Sequence, residues 1–236
     1  MKSALAVFAK TPLAGQVKTR LAPALSPEES AELYRCMLLD TIARVRQLPV
    51  DTVIFYEGDE LFFREAAPGV LLIPQLEGGL GERLENAFST LGSLGYRGRA
   101  VIGTDAPDLP LSFIEEAFRR LDGGSDAVFG PAEDGGYYLV ALNGAPGTLF
   151  RDIPWSSAQV LARSLEKASE CGLATELLPT WYDVDRYEDL LRPGLADPRN
   201  AAPLTRGFLG NRGIGGLQDA VPDYSIGNLA KTSRLI

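Results

Sequence analysis

Short apolar runs recur along the chain at residues 5–9, 52–56, 70–73, 100–104, 127–129 and 137–142, and most are separated by stretches with helical spacing of apolar positions. This alternation predicts an α/β protein with a mostly parallel sheet, because each parallel strand pair needs a crossover long enough for a helix. The first crossover has a legible start. Ser26 supplies a capping hydroxyl, Pro27 suits a first helical turn and Glu29 completes a capping box, after which Leu33, Met37, Leu38, Val45 and Leu48 form a core stripe. Ser112 with Glu115 repeats the signal ahead of Phe113, Ala117, Phe118 and Leu121, and Ser156 with Gln159 opens a helix that ends near Cys171-Gly172. A further helix carrying Leu84, Ala87, Phe88 and Leu91 follows a glycine-rich connection. One place breaks the alternation: residues 127–129 and 137–142 are too close for a helix between them, which predicts a hairpin-like antiparallel excursion. Beyond about Leu195 the pattern degrades, and irregular structure is expected there.

The chain has 236 residues, 45% of them hydrophobic and 23% charged, which suits one globular core. We expect a single domain over residues 1–209 and an irregular tail over 210–236. A formal net charge of -8 lacks the broad basic footprint of a nucleic-acid-binding protein, so any anion site must be local. No apolar run reaches the roughly 18 residues of a membrane span, and the first apolar run follows a single Lys without a cleavage pattern. A cytoplasmic protein is the expectation. Cys36 and Cys171 lack metal-site spacing and are expected to be buried or partly buried thiols. The absence of histidine removes Ser-His-Asp and Cys-His catalysis and every imidazole metal site, leaving carboxylates, Lys, Arg or a metal ion.

Candidate chemistry gathers at loops that follow strands. The run from Val7 to Arg20 passes from a buried-strand pattern into a loop holding Lys10, Gly15, Lys18 and Arg20. Such a loop lies at the crevice where ligands bind to open α/β sheets, and its N–H groups and cations suit phosphate. Gly15 and Lys18 are separated by two residues, so this is not a Walker A loop. In Val101-Ile102-Gly103-Thr104-Asp105-Ala106-Pro107-Asp108, a buried strand ends in a carboxylate that Pro107 keeps at the sheet edge. Asp105 is a hard oxygen ligand suited to Mg²⁺, whereas Asp108 reads as turn chemistry. Asp185 stands before another helix, where capping and metal binding compete. Glycines 78, 79 and 81 let backbone lie against a base or ribose, with a plain flexible connection as the alternative. The turn Glu133-Asp134-Gly135-Gly136-Tyr137 suits an acceptor substrate or is an ordinary turn.

Taken in order, Lys10-Thr11-Pro12, Gly15, Val17-Lys18-Thr19-Arg20-Leu21 and Pro23; Gln75, Gly78, Leu80-Gly81 and Arg83-Leu84; Gly103-Thr104-Asp105-Ala106-Pro107; Glu133-Asp134-Gly135-Gly136-Tyr137; Pro154-Trp155-Ser156; and Asp183-Val184-Asp185 form an ordered set. The set, spread over nearly all of residues 1–209, resembles a bacterial family of glycosyltransferase-A-like proteins related to 2-phospholactate guanylyltransferase. These are nucleotide-diphospho-sugar transferase relatives without an assigned function. The resemblance implies a three-layer α/β/α, Rossmann-like glycosyltransferase-A fold with a mostly parallel sheet. It also implies a transferase, either a nucleotidyltransferase or a glycosyltransferase, with nucleotide phosphates at Gly15, Lys18 and Arg20 and a metal pair at Asp105 and Asp185. The chain departs from the Gly-Gly-x-Gly-x-Arg form of the first loop and lacks a glycosyltransferase Asp-x-Asp motif at Asp105-Ala106-Pro107-Asp108.

The expected chemistry is transfer from a nucleotide, assisted by Mg²⁺ or Mn²⁺, with Lys18, Arg20 and Asp105 as the catalytic set. Substrate contacts are expected from Lys10, Gly15, Gln75, Gly78, Gly81, Arg83, Asp134, Gly135, Gly136 and Trp155. A nucleoside triphosphate with pyrophosphate as leaving group is favoured, because two cations stabilise the charge that accumulates on it. The alternatives are glycosyl transfer from a nucleotide sugar, with Asp134 as base, and a non-catalytic nucleotide-binding or partner-docking protein. The small-molecule acceptor, the nucleotide base and the oligomeric state are left open.

Overall fold

In the computed structural model, which describes residues 2–22 and 24–216, each of the six apolar runs is a strand. They are β1 (Ser3–Lys10), β2 (Asp51–Glu57), β3 (Leu71–Pro74), β4 (Gly98–Ile102), β5 (Ala127–Pro131) and β6 (Tyr137–Leu142), followed by β7 (Thr175–Leu177). The sheet order is β3-β2-β1-β4-β6-β5-β7. β1 pairs in parallel with β2 and β4, and β2 with β3 and β5 with β7 are also parallel. β6 is antiparallel to both its neighbours, so the predicted excursion inserts its second strand between β4 and β5.

The helices are α1 (Pro27–Val45), α2 (Glu60–Ala66), α3 (Leu80–Ser93), α4 (Leu111–Asp122), α5 (Val160–Glu170), α6 (Tyr187–Leu190), α7 (Pro193–Ala196) and α8 (Pro203–Gly210). Alternate residues of β1 divide between two cores, as the strand period of two requires. Leu5, Val7 and Ala9 pack with Leu38 and Ile42 of α1, Phe63 of α2, and Ile114 and Ala117 of α4. Ala4 and Ala6 pack with Leu84, Phe88 and Leu91 of α3 and Ala168 of α5. The result is three layers, with β1 and β4 buried on both faces and their carboxyl ends opening on a common edge.

The start of α1 is the predicted capping box: Ser26 Oγ accepts from Glu29 N at 3.1 Å and Glu29 Oε2 accepts from Ser26 N at 2.8 Å. Two other starts differ from expectation. α4 begins at Leu111 with Pro110 as its N-cap, because proline's fixed φ already sets the entry, and Ser112 lies inside the first turn. Ile114 is buried in this helix while Phe113 is only half-buried at the core's edge. Ser156 has a left-handed φ of 66° and belongs to a turn, and α5 starts at Val160 after Gln159.

The irregular structure expected beyond Leu195 is also corrected. α8 is regular and buries Thr205, Phe208 and Leu209, and residues 211–216 continue to a 3₁₀ turn at Ile214–Gly216, with Ile214 packed against the same cluster. Residues 217–236 of the expected tail lie outside the described residues. The helix is anchored from a distance: the buried Asp40 carboxylate of α1 accepts from Leu204 N at 3.1 Å, Thr205 N at 2.7 Å and Thr205 Oγ1 at 2.8 Å. Replacing Asp40 with Ala strands these donors and is expected to cost about 2–3 kcal/mol. Thermal unfolding should register this as a fall of roughly 4–12 °C in Tm for a chain of this size.

Cys36 is buried and its thiol is pushed up to about 12, chiefly by burial, whereas Cys171 is exposed at the end of α5 and is not the covered thiol expected. A thiol reagent should therefore modify Cys171 rapidly in the native protein and Cys36 only after unfolding. Mass spectrometry of the labelled peptides reads the difference. Asp108 is more than a turn former. It is buried and accepts hydrogen bonds from Tyr182 OH, Trp181 Nε1 at 3.4 Å and Asn200 Nδ2 at 2.9 Å. Among the described residues, no helix is long and apolar enough to cross a membrane.

Candidate active site

The loops after β1 and β4 leave neighbouring parallel strands and wall a cleft of about 630 Å³. Position along β1 fixes the first wall: Lys10 ends the strand, and Gly15 turns the following loop with a φ of +75°. An added Cβ at Gly15 would meet nothing within 4 Å, so the glycine serves the turn and leaves room above the loop. Lys18 then adopts a left-handed φ of 49°, uncommon for a side-chain-bearing residue, just before a 3₁₀ turn at Thr19–Leu21.

Lys18 and Arg20 do not project together. The Lys18 side chain is only 4% exposed, and its Nζ donates to Asp105 Oδ1, to Asp185 Oδ1 at 2.9 Å and to Val184 O at 2.6 Å. Arg20 is 60% exposed and reaches the same acid from outside, with Nη1 3.2 Å from Asp185 Oδ2. Burial disfavours the Lys18 charge, but the carboxylates of Asp105 and Asp185 outweigh it and hold the ammonium above its ordinary range. Asp185 moves the opposite way. Burial would raise it, yet the Lys18 charge and hydrogen bond, with Arg20 and Arg186, keep its carboxyl below the usual range.

Asp185 does not cap the following helix. Asp189 Oδ2 takes that role, accepting from Asp185 N at 3.0 Å and Arg186 N at 2.8 Å, which frees the Asp185 carboxylate for the cleft. The second wall is registered on the first by Tyr34 of α1, whose hydroxyl accepts from Lys10 N at 2.9 Å and lies 3.1 Å from Thr104 Oγ1. Val184 N donates to Asp105 O at 2.8 Å and brings the Asp183–Asp185 segment alongside. Sequence reasoning passed over Tyr34, which reads as another member of the core stripe, and quoted Asp183 in the Asp183-Val184-Asp185 motif without giving it a role. Burial pushes the Asp183 carboxyl up to about 7, reinforced by the charges of Asp105, Asp134 and Asp185 and partly offset by Lys18.

The far end of the cleft is a second polar network. Gln75 Nε2 donates to Phe55 O at 2.8 Å and Ala9 O at 3.2 Å, and its Oε1 accepts from Arg83 Nη1 at 3.2 Å. Both amide hydrogens are thus spent on carbonyls of β1 and β2, which makes Gln75 a brace. Arg83 also donates to Gly78 O at 3.0 Å and to Glu57 Oε2 at 2.5 Å, and Lys10 Nζ lies 3.2 Å from the same Glu57 oxygen. Glu57, at the end of β2, was not singled out by sequence because a terminal acid on a strand carries no local signal. Lys10, Gln75, Gly78 and Arg83 line the cleft with Lys18, Arg20, Asp105 and Asp185.

The remaining expected residues lie apart from that lining. Gly81 is a packing glycine, since an added Cβ would sit 2.5 Å from Phe150 O and 2.9 Å from Trp155 Nε1. Trp155 covers the start of α3 there. Asp134 Oδ1 accepts from Gly136 N at 2.8 Å within the β5–β6 turn, and Gly135, with φ +90°, abuts Ala158 backbone.

The donor set fits a small divalent cation. Two carboxylates from separate loops and one carbonyl converge on a single positive charge, the Lys18 ammonium, and hard oxygen donors of this kind suit Mg²⁺ or Mn²⁺. No cluster of three or more His, Cys, Asp or Glu side chains arranged for a metal occurs among the described residues. An ion held here would complete its shell with water and substrate oxygen, as Mg²⁺ commonly does at phosphate sites.

Residues 39–157 match the bacterial family DUF2064, described as uncharacterized proteins conserved in bacteria. The 2-phospho-L-lactate guanylyltransferase of Methanothermobacter thermautotrophicus is 32% identical over 181 residues, covering 73% of this chain and 76% of the relative. The chain belongs to the DUF2064 family. Its fold is that of a crystal structure described as a "putative nucleotide-diphospho-sugar transferase" from Desulfovibrio desulfuricans G20, with a TM-score of 0.83, 31% identity, and coverage of 92% of this chain and 98% of that one. A cytidylyltransferase from Leptospira borgpetersenii shares the fold at a TM-score of 0.59 and 11% identity, covering 94% and 99% of the two chains. This DUF2064 member therefore has the α/β fold expected from its sequence, and its relatives are of the transferase class expected.

Proposed function

We propose that the protein is a metal-assisted nucleotidyltransferase that transfers a nucleoside monophosphate from a nucleoside triphosphate to a small anionic acceptor and releases pyrophosphate. The observation that carries this reading is the meeting of Lys18, Arg20, Asp105 and Asp185 at the carboxyl edge of β1 and β4, in one cleft with the Gln75–Arg83 network. Asp105 and Asp185 would hold Mg²⁺ or Mn²⁺, which when bound supplies charge neutralisation to phosphate oxygens. An acceptor oxygen attacks the α-phosphorus, and the bond from that phosphorus to the bridging oxygen breaks. Arg20, exposed beside the acids, is placed to bind the departing pyrophosphate, and the protein contributes mainly orientation and charge stabilisation. The guanylyltransferase name of the relative makes GTP the first donor to test, with phosphorylated carboxylic acids as acceptors.

Pyrophosphate release should be measured with GTP, CTP, ATP and UTP against a panel of phosphorylated carboxylic acids, with Mg²⁺ or with chelator. Acceptor-dependent pyrophosphate release that chelator abolishes supports the proposal. Release of nucleoside diphosphate from a nucleotide sugar instead would assign glycosyl transfer. Failure of every nucleotide to bind, with or without metal, would leave the fold without this function.

A further inference from the structure

Lys18 stands where the proposed cation belongs. Its ammonium makes a hydrogen bond to Asp105 Oδ1 and lies 2.9 Å from Asp185 Oδ1 and 2.6 Å from Val184 O, with the side chain 4% exposed. An ammonium in contact with these oxygens and a divalent cation bound to the same oxygens would be neighbouring positive charges beside a side chain only 4% exposed, where repulsion is screened less than between fully solvated groups. The two cannot occupy the same Oδ1 atoms at once.

We propose that Lys18 is the resident counter-ion of a cation subsite, and that a divalent cation enters by exchange with it. On this inference, which rests on the proposed nucleotidyl-transfer reading, the nucleotide completes the exchange. Its phosphates give the displaced ammonium a new anionic partner and give the metal the oxygen donors that two carboxylates leave wanting.

Three features of the site favour exchange over a permanent ion pair. The acceptors around Lys18 are all hard oxygens from two different loops, so they form a cation cage and not a helix-face pair. Asp105 keeps a side chain 46% exposed, which leaves it open to ligand from the cleft. Arg20 already holds the outer oxygen of Asp185 at 3.2 Å, so that acid stays oriented when Lys18 leaves. The consequence is that metal and nucleotide bind together tightly and the metal alone weakly. Without Lys18, Asp105 and Asp185 would lose the charge held between them, with Arg20 reaching only the outer oxygen of Asp185, and would recruit a cation more readily.

The test is Mn²⁺ binding, followed by loss of the free-ion electron paramagnetic resonance signal, in nucleotide-free wild type, Lys18→Met and Lys18→Gln. Exchange predicts at least tenfold tighter Mn²⁺ binding in Lys18→Met than in wild type, and a rise of several degrees in its Tm on adding Mn²⁺ that wild type lacks. Lys18→Gln keeps hydrogen-bond donors between the acids and should give the same direction of change should Lys18→Met not fold. Equal Mn²⁺ affinity in wild type and in the folded variants overturns the inference. That result with chelator-sensitive pyrophosphate release intact in wild type overturns the exchange alone. The same result with no metal-dependent turnover or nucleotide binding in wild type removes the functional reading as well.

Discussion

Replacing Asp105 with Ala should lower nucleotide-dependent kcat/KM by at least about 100-fold, a loss on the order of 3 kcal/mol in transition-state stabilisation, while leaving the protein folded. Asp105 leaves the end of a strand buried on both faces, and no helix cap or turn hydrogen bond occupies its carboxylate, which meets Lys18 alone among the described partners. Its side chain is 46% exposed, so the stability cost of losing it is about 1 kcal/mol or less after solvent screening, and Lys18 retains Asp185 and Val184 O. Steady-state kinetics beside thermal unfolding separates the two effects. Turnover within a few-fold of wild type would exclude Asp105 from the reaction.

The largest effect on stability is expected from Gly135→Ala. Gly135 has φ +90°, a conformation that L side chains rarely adopt, and an added Cβ would lie 2.2 Å from Ala158 O and 2.7 Å from its carbonyl carbon. The obstacle is backbone, and Leu161 N donates to Gly135 O at 2.9 Å, so neither segment can withdraw cheaply. Left-handed strain and overpacking together should cost about 3 kcal/mol or more. That corresponds to a fall of roughly 6–12 °C in Tm, read by calorimetry. Gly15→Ala provides the contrast: it has positive φ but open space around it, so only the conformational cost of about 1 kcal/mol applies.

Much of the fold was legible because its signals are local. The apolar runs of β1 and β4, the Ser26–Glu29 capping box and the short spacing between β5 and β6 each dictate structure within a few residues. What escaped depends on contacts across the chain. Asp40 anchors α8 from more than 160 positions away, so the sequence near Pro203 reads as irregular. Ser112 looked like a cap because its hydroxyl and Glu115 have the right spacing, but Pro110 sets the helix entry two residues earlier. In the site, strand ends put Lys18, Arg20 and Asp105 at one edge in advance, since a loop leaving a parallel strand has little choice of edge, whereas Asp185 was paired with Asp105 only through the family resemblance. The left-handed backbone at Lys18, which turns its ammonium in between the two acids, has no local signature, and neither does the brace that Tyr34 makes between the loops.

A crystal of the protein grown with GTP and Mn²⁺, with the metal located by its anomalous scattering, would decide whether the acids hold the ion. Mn²⁺ is expected within about 2.0–2.3 Å of an oxygen of both Asp105 and Asp185 and of a nucleotide phosphate, with Lys18 Nζ moved from the acids to a phosphate oxygen. Nucleotide bound in the cleft with Lys18 still between Asp105 and Asp185, and Mn²⁺ elsewhere or absent, would contradict it.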